Sequence, residues 1–296
     1  MDKKESFYWD LVKGAAIFLM LWGHCIQYCA LDDTTFMGNS VFRTIYSFHM
    51  PIFMLVSGYL FFFSFQKRNL EELLQHRIQG MLYPIVMATL FNNVLLMIPR
   101  YLMSGHVDFL WGTLFWGISE SLWFLWSVLY CSLLVGICGK LTEKPYLQLL
   151  LTIAAGFVIL LLPQWNYTLF MYPYFVAGFF CGKFRNSAMK CYKVLRYAAL
   201  ILFPVMVAFY QKKHYIYVTP MYSVELGLTA SLEIALYRWA IGFVGSIFML
   251  SVMEALVRIG ERVPVAGNWL RKISGLGRNS LQIYCLSASL LSGYLP

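Results

Sequence analysis

Apolar runs of membrane-crossing length dominate the chain, and most of its polar residues fall between them. Their rough limits are 12–30, 44–65, 81–98, 122–138, 147–163, 168–182, 196–210, 239–257 and 281–295. About 20 apolar residues in a helix cross a bilayer core. The pattern therefore predicts an all-α, polytopic membrane helical bundle of about nine transmembrane helices. A further aromatic run, Phe109 to Ile118, is too short to span and reads as re-entrant or interfacial. Between the second and third runs, Gln66 to Gln79 places Leu70, Leu73, Leu74 and Ile78 on one side, as in a short amphipathic helix. The connection from Lys212 to Glu225 is long and rich in tyrosine. No internal repeat, low-complexity tract or appended soluble segment is evident, so residues 1–296 read as one membrane domain. The first apolar run is long and lacks a small-residue cleavage site, so it is expected to stay as the first span.

Composition agrees: 60% of the residues are hydrophobic and only 12% charged, about half the charge of a soluble domain. The net charge of +9 does not point to nucleic acid, because the basic residues lie between apolar runs rather than on one polar face. With the N-terminus in the cytoplasm and nine spans alternating, eighteen of the 23 basic residues fall on the cytoplasmic side. Only Arg43, Arg100, Lys212, Lys213 and Arg238 lie on the other. The bias predicts a cytoplasmic or inner membrane protein with a cytoplasmic N-terminus. The seven cysteines sit mostly within apolar runs and read as free, buried thiols.

Ionisable residues inside an apolar run mark candidate sites. In the first run, Lys13 and His24 are eleven residues apart, which on a helix returns to within roughly 20° of one face and about 16 Å along it. His24 is the candidate general base or acid, since imidazole titrates nearest neutral pH. The competing reading bonds its ring to backbone carbonyls. His49 weighs evenly between packing and lining a cavity at similar depth. In the second run Pro51 removes a backbone donor and Gly58 permits close helix approach, beside Ser57 and Tyr59. Asp10 and Lys13 are three apart and can pair, the bland alternative being a snorkelling lysine. Arg68 and Arg77 read either as positive-inside residues or, with Lys13, as a cationic mouth for a phosphorylated ligand. Glu120 opens the fourth span as a first-turn acid, with Trp123 just behind it. There is no phosphate-binding glycine loop, nucleophile elbow or paired-histidine zinc motif. Cys25 points about 100° away from His24, so no metal is expected.

Six stretches in register resemble the acyltransferase-3 family of integral membrane acyltransferases, in particular its fucose 4-O-acetylase-like branch. They are DLVKGAAIFLMLWGH (10–24), SFHMPIFMLVSGYLF (47–61), HRIQGMLYP (76–84), SLWFLWSVLY (121–130), YPYFVAGFFCGK (172–183) and GLGRNSLQIY (275–284). The resemblance implies transfer of an acyl group, usually acetyl from acetyl-CoA, to a hydroxyl of a cell-surface glycan or its lipid-linked precursor. His24 matches the family's essential histidine and Lys13 its essential base, while Arg77 falls among its basic loop residues. The chain departs from the family at Gly80, where a basic residue is common, and at Ser287, where a histidine is common. About nine spans stand against the family's usual ten.

The expected reaction places the anionic phosphates of cytoplasmic acetyl-CoA at Lys13, Arg68 and Arg77, with the pantetheine arm reaching toward His24. Acetyl-CoA is the expected co-substrate, with no tightly bound cofactor. Asp10, His49, Ser57, Tyr59, Glu120 and Trp123 are the supporting candidates, and Tyr59 or Ser57 is offered as the oxyanion donor. Direct transfer and a covalent acyl-histidine both stay open. The alternatives are a transporter or flippase for a lipid-linked substrate and a catalytically degenerate assembly partner. The first predicts pH-coupled flux without acetyl consumption, the second no affinity for acetyl-CoA.

Overall fold

A chain crossing lipid must satisfy its backbone polar groups internally, which leaves helices as the local solution for runs of this kind. The computed structural model describes residues 3–30, 35–105 and 122–292. Among these residues there is no strand, and the regular helices are α1 (Lys3–Tyr28), α2 (Ser40–Lys67), α3 (Leu70–Ser104), α4 (Trp123–Leu141), α5 (Pro145–Val158), α6 (Trp165–Lys183), α7 (Arg185–Ala208), α8 (Gly227–Arg262), α9 (Pro264–Arg278) and α10 (Ser280–Ser292).

Among the described residues, six segments are long and apolar enough to cross a membrane: α1, α2, Leu70–Leu95 within α3, α4, α7 and α8. The expected count of nine is not reached, and each shortfall has a physical reason. α5 and the 3-10 turn after it make an apolar stretch of only Pro145–Leu161. α6 carries Asn166, Tyr167, Tyr172, Pro173 and Tyr174, which lower its apolarity, and buries Phe170, Tyr172, Tyr174, Phe175 and Phe179 against protein. A helix covered by its neighbours does not need a lipid-soluble surface. Of the run at 281–295, the part up to Ser292 belongs to α10, and the rest lies outside the described residues. The expected short amphipathic helix at Gln66 to Gln79 is instead the start of α3. Asn69 caps it, accepting from the Glu72 N–H at 2.8 Å, and the helix continues through Pro84. The Phe109 to Ile118 run lies outside the described residues.

The chain divides into two compact units, Met1–Gln66 with Leu169–Ser280, and Lys67–Thr168 with Leu281–Pro296. In the first unit, reciprocal glycine contacts hold two helix crossings. A Cβ on Gly14 of α1 would strike the Ile273 carbonyl of α9, and one on Gly277 would strike the Asp10 carbonyl of α1. Likewise Gly58 of α2 lies against the Phe175 carbonyl of α6, and Gly178 of α6 against the Leu55 carbonyl of α2. With no hydrophobic drive between lipid-bathed helices, such small residues allow the close backbone approach that packing requires. The glycines in four of the six motifs are thus paired: the first stretch with the last, the second with the fifth. In the second unit, Gln148 of α5 donates to the Gly139 and Thr142 carbonyls at 2.7 and 2.6 Å, closing the α4–α5 corner. Near the other end of α4, the Ser127 hydroxyl meets that of Thr168 of α6 at 3.1 Å.

Candidate functional site

His24 lies one turn before the Tyr28 end of α1, half-buried. Across from it, α2 presents Tyr46, whose hydroxyl donates to Gln27 Oε1 at 3.1 Å and whose oxygen lies 3.2 Å from His24 Nδ1. A phenol has one proton, so with that proton on Gln27, Nδ1–H of His24 donates to the tyrosine oxygen. His24 Nε2 then keeps its lone pair, the state a general base needs. The Tyr46 ring is held in turn, stacked on Phe42 with centroids 3.9 Å apart, and its edge meets His24 at 6.2 Å.

His49 stands one turn further along α2. It is 3% exposed, its ring 4.7 Å from that of Tyr46, and its Nδ1–H donates to the Ile45 carbonyl at 2.9 Å. His49 therefore backs Tyr46, with its Nδ1 spent on the backbone of its own helix. Tyr46 was the residue the sequence did not single out. One tyrosine among 20 carries no signal until α2 brings it opposite the histidine.

Over this end of the unit lies the connection between α7 and α8. Tyr215 packs 5.6 Å from Phe42, and Tyr217 lies 6.2 Å from Tyr46 and 5.3 Å from Tyr215. The connection is organised by Arg238 of α8, which is 1% exposed. Its guanidinium donates to the carbonyls of His214 (2.8 Å), Lys213 (2.9 Å), Tyr215 (3.2 Å) and Thr219 (2.6 Å). Burying a guanidinium is costly without such partners, and four carbonyls offset the loss of water. The sequence reading counted Arg238 only as a topogenic charge. His214 belongs to the same corner: the Gln211 N–H donates to its Nδ1 at 2.8 Å, which requires that nitrogen to be unprotonated. Burial, with Lys213 and Arg238 beside it, pushes its pKa down to about 4.

The other end of α1 carries charge. Lys13 pairs with Asp10 at 2.9 Å, both partly exposed. Glu5 accepts from Tyr59 at 2.8 Å and pairs with Arg185 at 3.3 Å, and Trp9 lies 4.5 Å from Tyr59. Tyr59 is therefore not beside His24: Glu5 and His24 are nineteen residues, about 28 Å, apart along α1. An oxyanion role for Tyr59 at His24 does not fit that separation. Ser57 is half-buried, about two turns beyond His49 along α2. In the second unit, Arg68 and Arg77 are partly exposed at the start of α3, and Trp123 stacks on Tyr167 at 4.7 Å. Ser287, at the place where the family commonly has a histidine, is bonded back to the Tyr284 carbonyl at 2.9 Å. Glu120 lies outside the described residues. Among the described residues no three His, Cys, Asp or Glu side chains gather as a metal site.

The model of one family, described as an acyltransferase domain (Acyl_transf_3), matches residues 6–294. Two relatives are both called nodulation protein NolL. The one from Mesorhizobium japonicum is 26% identical over 204 residues, covering 66% of this chain and 54% of that protein. The one from Sinorhizobium fredii is 28% identical over 204 residues, covering 66% and 53%. The matched region thus spans about half the length of these relatives. No solved structure matches the chain.

Proposed function

This chain belongs to the acyltransferase-3 family of integral membrane proteins, and from that premise we propose that it is an O-acyltransferase. The proposed reaction moves acetyl from cytoplasmic acetyl-CoA to a hydroxyl of a cell-surface or lipid-linked glycan. The observation that carries the proposal is the His24–Tyr46–Gln27 chain, which leaves Nε2 of His24 as an acceptor on the helix that also bears Lys13.

The proposed step balances simply. His24 Nε2 takes the proton of the acceptor hydroxyl as that oxygen attacks the thioester carbonyl, giving a tetrahedral oxyanion. The intermediate collapses by breaking its C–S bond, and the departing thiolate takes the proton back from the imidazolium. The products are an O-acetyl ester and free coenzyme A. Lys13 is proposed to meet the donor's anionic phosphates from the N-terminal end of α1, proposed to be cytoplasmic from the bias of basic residues along the sequence. Its pair with Asp10 is partly exposed and worth about 1 kcal/mol or less, so a phosphate can replace the carboxylate at small cost. Arg68 and Arg77 are carried as donor contacts by charge and sequence match alone.

The test follows label from acetyl-CoA into membrane glycan, wild type against His24→Ala, with insertion checked separately. Transfer should fall by roughly 10²–10⁴-fold, the usual contribution of a general base. Full transfer by the variant would remove His24 from the mechanism.

A further inference from the structure

Arg238 spends four charge-assisted hydrogen bonds on holding one connection, far more than a passive link between two helices requires. What the clamp fixes is a set of aromatic rings beside His24. Tyr215 and Tyr217 are stacked at 28°, and Tyr217 meets Tyr46, the residue hydrogen-bonded to His24, at 83° with centroids 6.2 Å apart. One flank of Tyr217 is thus held by protein, yet the side chain is 39% exposed. A second observation lies on α2. Arg43 is three residues before Tyr46, so on the same side of the helix and about 4.5 Å nearer its N-terminal end. Its Nε is buried, and among the described residues it has no hydrogen-bond partner.

From these features we infer that the α7–α8 connection is the acceptor-binding element, with Tyr217 the stacking platform for a sugar ring. The inference rests on the acyltransferase reading and adds to it where the acceptor sits. A pyranose has a face of C–H groups that packs on the negative face of an aromatic ring, and a rim of hydroxyls that needs donors and acceptors. Tyr217 supplies the first and Arg43 a donor for the second. Tyr217 is linked to His24 through the single ring of Tyr46, with centroids 6.2 Å apart at each step. Arg238 acts as a positioning residue: it touches no substrate and holds the backbone that carries the platform.

The experiment uses membranes containing the full chain, labelled acetyl-CoA, and label recovered in the membrane glycan fraction. Tyr217→Ala should cut glycan labelling at least about tenfold at fixed acetyl-CoA, with the acetyl-CoA KM moved by less than about twofold. Tyr217→Trp, which keeps a stacking face, should retain most of the labelling. Arg238→Lys should show the same acceptor-side loss and faster trypsin cleavage at Lys212 and Lys213 from the outer face. Wild-type labelling by Tyr217→Ala overturns the inference. So does equal loss in Tyr217→Trp, which would mark a packing role, or normal labelling in an Arg238→Lys protein whose connection is readily cleaved. Failure of the underlying reading looks different: wild-type membranes would themselves transfer no label, and the inference would fall with it.

Discussion

The two ends of α1 solve opposite problems. At the Lys13 end, charged side chains are paired with opposite charge: Lys13 with Asp10 and Arg185 with Glu5. At the His24 end, the histidine is oriented by neutral groups, Tyr46 and Gln27, and held among aromatic rings. Partly exposed ion pairs are weak and readily exchanged for another anion, which suits the phosphorylated donor proposed to bind at this end. A neutral hydrogen-bond chain instead fixes one tautomer and keeps one nitrogen open, as a proton-transfer station requires. The proposed donor-binding and proton-transfer positions thus sit about 16 Å apart on one helix.

Four substitutions or conditions would break or sharpen this contrast. The largest effect is expected from Lys13→Ala. Loss of a charged contact to phosphate should raise the acetyl-CoA KM by roughly 10- to 100-fold with kcat little changed, measured by initial rates across donor concentration. An unchanged KM would show that this end does not read the donor. Next, Tyr46→Phe deletes the partner of Nδ1 while keeping the ring, and should lower kcat by about tenfold without altering donor KM. Equal loss in KM would make Tyr46 a packing residue only.

Smaller still, Asp10→Asn removes the competing carboxylate. It should lower donor KM by about twofold to fivefold, since the pair it breaks is a weak one. A raised KM would mean that Asp10 positions Lys13 rather than competing for it. The smallest effect concerns the outer connection. The His214 pKa is depressed in the folded protein, so the imidazole there stays neutral where the unfolded chain would take up a proton. Stability from this group is fully present above about pH 6.5 and is lost as pH falls toward about 4. Trypsin cleavage at Lys212 and Lys213, corrected for the enzyme's own pH profile, should therefore rise across that window in wild type and vary less in His214→Gln. Identical profiles would remove the histidine as its cause.

How far these ends were legible in the sequence follows from what each residue does. Lys13 and His24 stood out because ionisable groups in an apolar run are rare, and the eleven-residue spacing put them on one face. The motif glycines were partly legible: Gly58 announced close packing, but its partner Gly178 lies far along the chain and only the fold joins them. Tyr46 was invisible, because its role depends on which α2 residue faces α1. The role of Arg238 was not legible because topogenic counting treats every basic residue alike, whereas this one is buried and spent on carbonyls. Tyr59 was misplaced for a related reason: α1 and α2 run antiparallel, so ten residues past His49 leads back to Glu5 rather than deeper beside His24. The expected nine spans are not all matched by long apolar helices among the described residues, because α5 is short and α6 is sheltered by protein.

The central claim is that donor binding and proton removal are separable functions of one helix. It is tested most directly by measuring, on purified His24→Ala protein, both the dissociation constant for acetyl-CoA and the single-turnover rate of acetyl transfer to glycan. The account predicts donor binding within about twofold of wild type and a transfer rate lower by at least about 100-fold. Loss of donor binding together with transfer, or transfer at the wild-type rate, would contradict it.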